Sequence, residues 1–337
     1  MKDQDQVCNK SYLIDVDGLS SVLSNLKTAG FTLVGPKVVD QAIIYDTFES
    51  LDELPKGWQD DQGPGYYRIK ESDSERLFNF TVGPHSWKKY LHPPHLRLWQ
   101  AERQGSSFKV IPEETENTAY AFIGVRACEI KALQIQDRVF RGEQFTDTHY
   151  GESRKKAFIL AVNCSRANDT CFCTSMGSGP SVIDGYDLSV TEFFLNDQQL
   201  FLTEIGSNRG VDILKEVVVA EVTEEHRAIC QAQHEQTCEQ ISRTMETENL
   251  RETLQSNYDH PRWEEVADRC LSCANCTMVC PTCFCTTVED TTDLSGDHAE
   301  RWRRWDSCFT MDFSYMAGGH IRGSTKSRYR QWTVSYT

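Results

Sequence analysis

Between Cys270 and Cys285 the chain reads "CLSCANCTMVCPTCFC", and six of these sixteen residues are cysteine. Thiols this dense are either covalent staples or ligands for a soft metal. Cys270, Cys273, Cys276 and Cys280 form C-x2-C-x2-C-x3-C-P. In such a run three close thiolates wrap one face of a [4Fe–4S] cube, and the fourth is directed to another cluster. A zinc site would use two C-x2-C pairs set well apart and has no need of the third close cysteine. Disulfides between neighbours this near make strained rings. The spacing therefore predicts iron–sulfur ligation.

A surplus follows. Cys283 and Cys285 flank Phe284, and Cys308 stands in "RWRRWDSCF". The same "CFC" triplet occurs at Cys171–Cys173, preceded by Cys164 in "NC" and Cys128 in "VRAC". "AYAFIGV" and "KAFILAV" read as strands, and "EIKALQIQDRVF" between them as a helix, which makes a βαβ unit. Parallel strands joined by one crossover end on the same edge. Cys128 follows the first strand and Cys164 the second, so both fall at the edge where open α/β sheets place ligands. Four thiols from three loops suit a cubane, and a zinc ion held by the same four is the chemical competitor. Cys8, Cys230 and Cys238 stand apart and read as small packing residues. His85, His92 and His95 read as surface or packing residues rather than ligands.

Other elements are coarser. "DGLSSVLSNLKTAGF" reads as a helix with Leu19, Val22, Leu23 and Leu26 on one face, Asp17 as its cap and Gly30 at its end. "QAIIYDTF" reads as a strand, and "GWQDDQGPGYYRIK" as a turn-rich loop running into one. "RLFNFTVG" reads as the start of a strand, and "SVTEFFLNDQQLFLTEIG" as two strands about an Asn196-Asp197 turn. Arg301, Arg303 and Arg304 alternate with Trp302 and Trp305, a pattern for a helix face or for a docking surface. The fold expected is α+β: a mixed α/β domain over 1–219, a helical connector over 220–258 and a helical ferredoxin-like domain over 259–337.

The 337 residues suffice for about two domains. A net charge of −15 repels phosphate backbones and argues against nucleic-acid binding. No apolar run approaches the roughly 20 residues of a membrane span, and the amino-terminal stretch has no secretory core. Dense cysteine without a secretory signal implies a reducing, cytoplasmic setting. "GSGP" at Gly177–Pro180 lacks the dinucleotide spacing, and no phosphate loop or catalytic acid–base set is present, so no catalytic residue is assigned.

The segments "GVRACEIKAL", "NCSRANDTCFCTSMGSGP", "CLSCANCTMVCPTCFC", "AERWRRWDSCFTMDFS" and "SRYRQW" together resemble the beta subunits of cytoplasmic sulfhydrogenase-type nickel–iron hydrogenases. The related A subunit of anaerobic sulfite reductase shares them. The resemblance runs from about Gly124 to Trp332. It implies an electron-transfer subunit with two or more [4Fe–4S] clusters, working beside a flavin- and NAD(P)-binding subunit and a separate catalytic hydrogenase or sulfite reductase subunit. One departure stands. The family carries a second C-x2-C-x2-C-x3-C-P motif after "RYRQW", where this chain reads "TVSYT". Cys270, Cys273 and Cys276 then lack their usual fourth ligand, and Cys280, Cys283, Cys285 and Cys308 are expected to serve as a set of four. At most two stable cubes are expected, about eight irons. A zinc-bearing scaffold is the reading from another class.

Overall fold

The computed structural model describes residues 10–113, 118–313 and 315–334. The chain divides into two compact units: Met1–Trp87 with Asn117–Met245, and Lys88–Glu116 with Glu246–Thr337.

The first unit is built on an eight-stranded mixed sheet. Its elements are β1 (Ser11–Asp15), α1 (Val16–Thr28), β2 (Phe31–Val39), β3 (Ala42–Thr47), β4 (Trp58–Gly63), β5 (Tyr66–Glu71), β6 (Ala119–Val125), α2 (Ala127–Phe140), α3 (Thr148–Lys156), β7 (Phe158–Val162), β8 (Leu188–Leu195), β9 (Gln198–Ile205), α4 (Asn208–Leu214), β10 (Ala220–Glu221) and α5 (Glu224–Gln240). The order across the sheet is β10-β1-β9-β8-β7-β6-β2-β3, and β4 pairs with β5 in a separate hairpin. The central pairs β2–β6, β6–β7 and β7–β8 are parallel. Every residue of β7 is buried, as a continuous apolar run covered on both faces must be. The carboxyl ends of β6 and β7 share an edge, and the chain leaves it at Arg126 and Asn163.

Around this frame the local signals resolve physically. Asp15, two residues earlier than Asp17, caps α1 by accepting the Gly18 N–H at 2.8 Å. Asp17 lies in the first turn, where a carboxylate favours the positive end of the helix. Leu19, Val22, Leu23 and Leu26 are all buried. The "GWQDDQGPGYYRIK" segment is the hairpin β4–β5 rather than a loop and one strand. "RLFNFTVG" holds no strand. Its backbone is satisfied by buried side chains instead: Glu192 accepts the Leu77 and Phe78 N–H groups at 2.7 and 3.1 Å. Helix α5 packs on the first unit, with Ile229 and Cys230 against a cluster containing Phe193 and Leu202.

The second unit carries a four-stranded antiparallel sheet in the order Thr286–Thr292, His298–Trp305, His95–Gln104, Ser107–Pro112. Short helices over Leu250–Ser256, Arg262–Asp268, Asn275–Val279 and Thr325–Val334 complete it. The Arg–Trp run is therefore a strand and not a helix. Arg301 pairs with Asp290 at 2.6 Å and Arg304 with Glu289 at 3.2 Å across the ladder. Arg303 is buried, so its charge is not part of an exposed surface. His92 is buried beside Trp305, and His95 stacks on Trp302 at 4.2 Å, so both pack against aromatic rings.

Leu160 lies fully buried at the centre of the first unit's sheet. Leu160→Ala is expected to cost about 2–5 kcal/mol, whereas Leu294→Ala, at an exposed turn, should stay within about 0.5 kcal/mol. Urea unfolding followed by circular dichroism measures both. Equal midpoints for the two variants would contradict the placement of Leu160.

Candidate metal centres

In the first unit Cys128 sits on the first turn of α2, Cys164 directly after β7, and Cys171 and Cys173 on the loop beyond. Cys128 and Cys173 each lie within the electrostatic reach of other thiols of this set, and Cys164 within that of Cys171. Burial pushes all four thiols up, Cys173 to about 11. The Cys128 side chain keeps accessible surface although protein atoms crowd around it. Gly179, at φ +150°, runs beside it: a Cβ there would stand 3.2 Å from the Cys173 sulfur. The "GSGP" turn thus brings bare backbone to the thiols, a role that only glycine fills without displacing the sulfur.

Three supports hold this arrangement. Asp60, fully buried, accepts the Thr81 N–H and hydroxyl at 2.7 and 2.5 Å and pairs with Arg166 at 2.9 Å. It also accepts from the Asn168 side chain, whose backbone N–H points at the Cys171 sulfur at 3.5 Å. Thr237 of α5 donates its hydroxyl to the Cys164 carbonyl at 3.2 Å. Arg126 is buried and donates to the carbonyls of Phe78 and Phe80 at 2.8 and 2.9 Å. Its charge opposes the upward push on Cys164. Cys238 is also drawn in: it bears on Cys173, and its sulfur lies 3.6 Å from His234 Nε2. Cys230 packs on the sheet, with burial pushing it up to about 11. Cys8 lies outside the described residues.

The second unit holds its thiols in two groups. Cys276 feels Cys270 and Cys273. Ser272 and Ala274, at φ 51° and 64°, bend the loop between them through the left-handed region. That bend turns the Ser272 N–H toward the Cys270 sulfur at 3.4 Å. The other comprises Cys280, Cys283, Cys285 and Cys308. Cys283 and Cys285 bear on Cys308, and Cys270 and Cys285 both pack on the cluster that contains Cys308, so the two groups adjoin. Cys280, Cys283 and Cys285 all act on the Lys88 ammonium. Lys88 lies 3.8 Å over the Trp305 ring and donates to the carbonyls of Met278 and Cys283 at 3.2 and 3.4 Å. The hydrogen bond from Cys308 pulls the Cys285 thiol down to about 7 and pushes that of Cys308 up. The strand pair Thr286–Thr292 and His298–Trp305 accounts for this meeting, since Thr286 faces Trp305 in the register and both cysteines lie just outside it.

The donor chemistry fits clusters better than hard cations, since thiolates select soft metals. A single zinc ion holds its thiolates at about 2.3 Å. Among the described residues no three Cys, His, Asp or Glu side chains are gathered closely enough to hold one metal ion. Lys88 and Asp60 carried no signal in the sequence, because each acts on cysteines distant along the chain.

These thiol sets, together with a match of residues 269–337 to the 4Fe-4S dicluster domain, support iron–sulfur clusters as the cofactor. Sulfhydrogenase 2 subunit beta of Pyrococcus furiosus is 29% identical over 288 residues, spanning 84% of this chain and 82% of the relative. Together the two matches support the sulfhydrogenase beta-subunit family, the one its motifs resemble. No solved structure matches the chain. Among the described residues no helix is long and apolar enough to cross a membrane.

Arg126→Met would leave the Phe78 and Phe80 carbonyls without their donor. The expected loss is at least about 2 kcal/mol, read as a lower urea midpoint, with Arg126→Lys falling between. A midpoint unchanged in Arg126→Met would remove the clamp from this account.

Proposed function

We propose that the chain is the iron–sulfur electron-transfer subunit of an oxidoreductase complex of the hydrogenase type. It passes electrons between a flavin- and NAD(P)-binding subunit and a catalytic subunit. The observation that carries this reading is the match of residues 269–337 to the 4Fe-4S dicluster domain, on the ferredoxin spacing of Cys270, Cys273, Cys276 and Cys280. Cys128, Cys164, Cys171 and Cys173 form one set, and Cys280, Cys283, Cys285 and Cys308 the other. Cys270, Cys273 and Cys276 form a third group with ferredoxin spacing. A bound [4Fe–4S] cluster supplies one-electron chemistry. The protein's own contribution is placement and charge. Arg126 beside the first set and Lys88 beside the second each offset part of the negative charge that ionised thiols create. The Asn168 N–H donor to the sulfur of Cys171 favours the thiolate in the same direction.

Anaerobic reconstitution with iron and sulfide tests the grouping. Cys128→Ala and Cys171→Ala should each remove about four irons and erase the same electron paramagnetic resonance signal. Cys283→Ala and Cys308→Ala should erase another. Gly179→Val should behave as a first-set variant although it removes no ligand. Zinc without acid-labile sulfide in the purified protein would favour the scaffold reading, and different signals lost from Cys128→Ala and Cys171→Ala would break the first set. Co-purification with a sirohaem subunit would assign the chain to a sulfite reductase instead.

A further inference from the structure

The second unit contains a hollow of about 640 Å³ between the helices Leu250–Ser256 and Thr325–Val334 and the chain before the latter. Arg322 and Arg330 both line it. Each guanidinium is held in place by an aromatic ring and a carbonyl. Arg330 lies 3.2 Å over the Tyr258 ring and donates to the Tyr258 carbonyl at 3.1 Å. Arg322 lies 5.1 Å from the Phe313 ring and donates to its carbonyl at 3.2 Å. No acidic side chain is among the described residues lining the hollow, in a chain whose net charge is −15. Gln255 and Ser327 add neutral hydrogen-bonding groups, and Leu254 and Ile321 an apolar wall.

We propose that this hollow is a binding site for a small phosphorylated anion of nucleotide size. A guanidinium presents five donors in a planar fork that matches phosphate oxygens in pairs. Two such forks, already fixed by their rings and carbonyls, lose little further freedom when they bind. The volume falls within the range of small-ligand pockets, and the mixture of cationic, neutral polar and apolar walls suits a phosphate joined to a base. Neutral polar and apolar groups alone would not select an anion; the two arginines without a carboxylate do. Arg322 also acts on Cys285 and Cys308, so the hollow and the second thiol set share one charged group. The site is additional to the electron-carrier reading and does not rest on it.

Isothermal titration of the full chain with ADP, inorganic pyrophosphate and adenosine, without added metal, tests the proposal. ADP and pyrophosphate are expected to bind at one per chain, with adenosine at least about tenfold weaker. Arg322→Gln and Arg330→Gln should each weaken ADP at least about tenfold, since each removes a hydrogen bond to a charged group. Ser327→Asp places a negative charge in the same hollow and should abolish ADP binding even if the arginine variants do not fold. Adenosine binding as tightly as ADP, ADP affinity unchanged in Ser327→Asp, or no binding of ADP or pyrophosphate at millimolar concentration would each overturn the assignment.

Discussion

Arg126 ties together the parts of the first unit that have no strand ladder to hold them. Its guanidinium reaches Phe78 and Phe80 on the irregular segment and Asn163 beyond β7, while its backbone starts α2. Its N–H is capped by Glu129 at 2.9 Å. A charge this deep is tolerated only because its donors meet several carbonyls and a ring face. The same residue stands two positions before Cys128 and beside Cys164, so the sheet edge and the thiol set share one cationic anchor. Asp60 repeats the device with the opposite sign, fixing the loop that bears Cys171.

Crowded thiols set the electrostatic problem that these anchors answer. In the first set burial is the main cost of ionising each thiol, and neighbouring thiols add to it for Cys128, Cys164 and Cys173. Such groups remain protonated unless something positive arrives among them. In the second set Cys285 alone is eased, at the expense of Cys308. The ammonium of Lys88 lies within the field of Cys280, Cys283 and Cys285, and one thiol hydrogen bonds the next. Each arrangement has two cations in reach, Arg126 and Arg166 at the first set and Lys88 and Arg322 at the second.

Much of this was legible where local pattern and tertiary role coincide. β6, α2 and β7 announce themselves through apolar runs and helical spacing, and their topology alone predicts that Cys128 and Cys164 meet. The Asn196-Asp197 turn is read as directly, since both residues adopt positive φ in a tight hairpin. The run "RWRRW" was not legible as a strand, because large side chains alternating with cations satisfy either period. What decides it is Asp290 and Glu289 on the neighbouring strand, together with Trp99 beneath Arg301. The irregular segment 76–83 was misread for a related reason. Its apolar residues suit a strand, yet its polar backbone is met by Glu192 and Arg126, which lie far away in sequence. Lys88 escaped notice because its carbonyl partners are 190 and 195 residues distant.

The second unit is threaded from two separate stretches of chain, with the hairpin His95–Gln104 and Ser107–Pro112 supplied before most of the first unit and the strands Thr286–Thr292 and His298–Trp305 long after it. During synthesis that early hairpin emerges with one edge bare, and its partner strand follows almost two hundred residues later. Unpaired strand edges invite the wrong neighbour, and distant pairings form slowly. The same threading governs dissection of the gene product: a piece beginning at residue 246 would carry His298–Trp305 with one side of its ladder missing. Any attempt to express the cysteine-rich region alone must bring residues 95–112 with it, as a second segment or by permuting the chain.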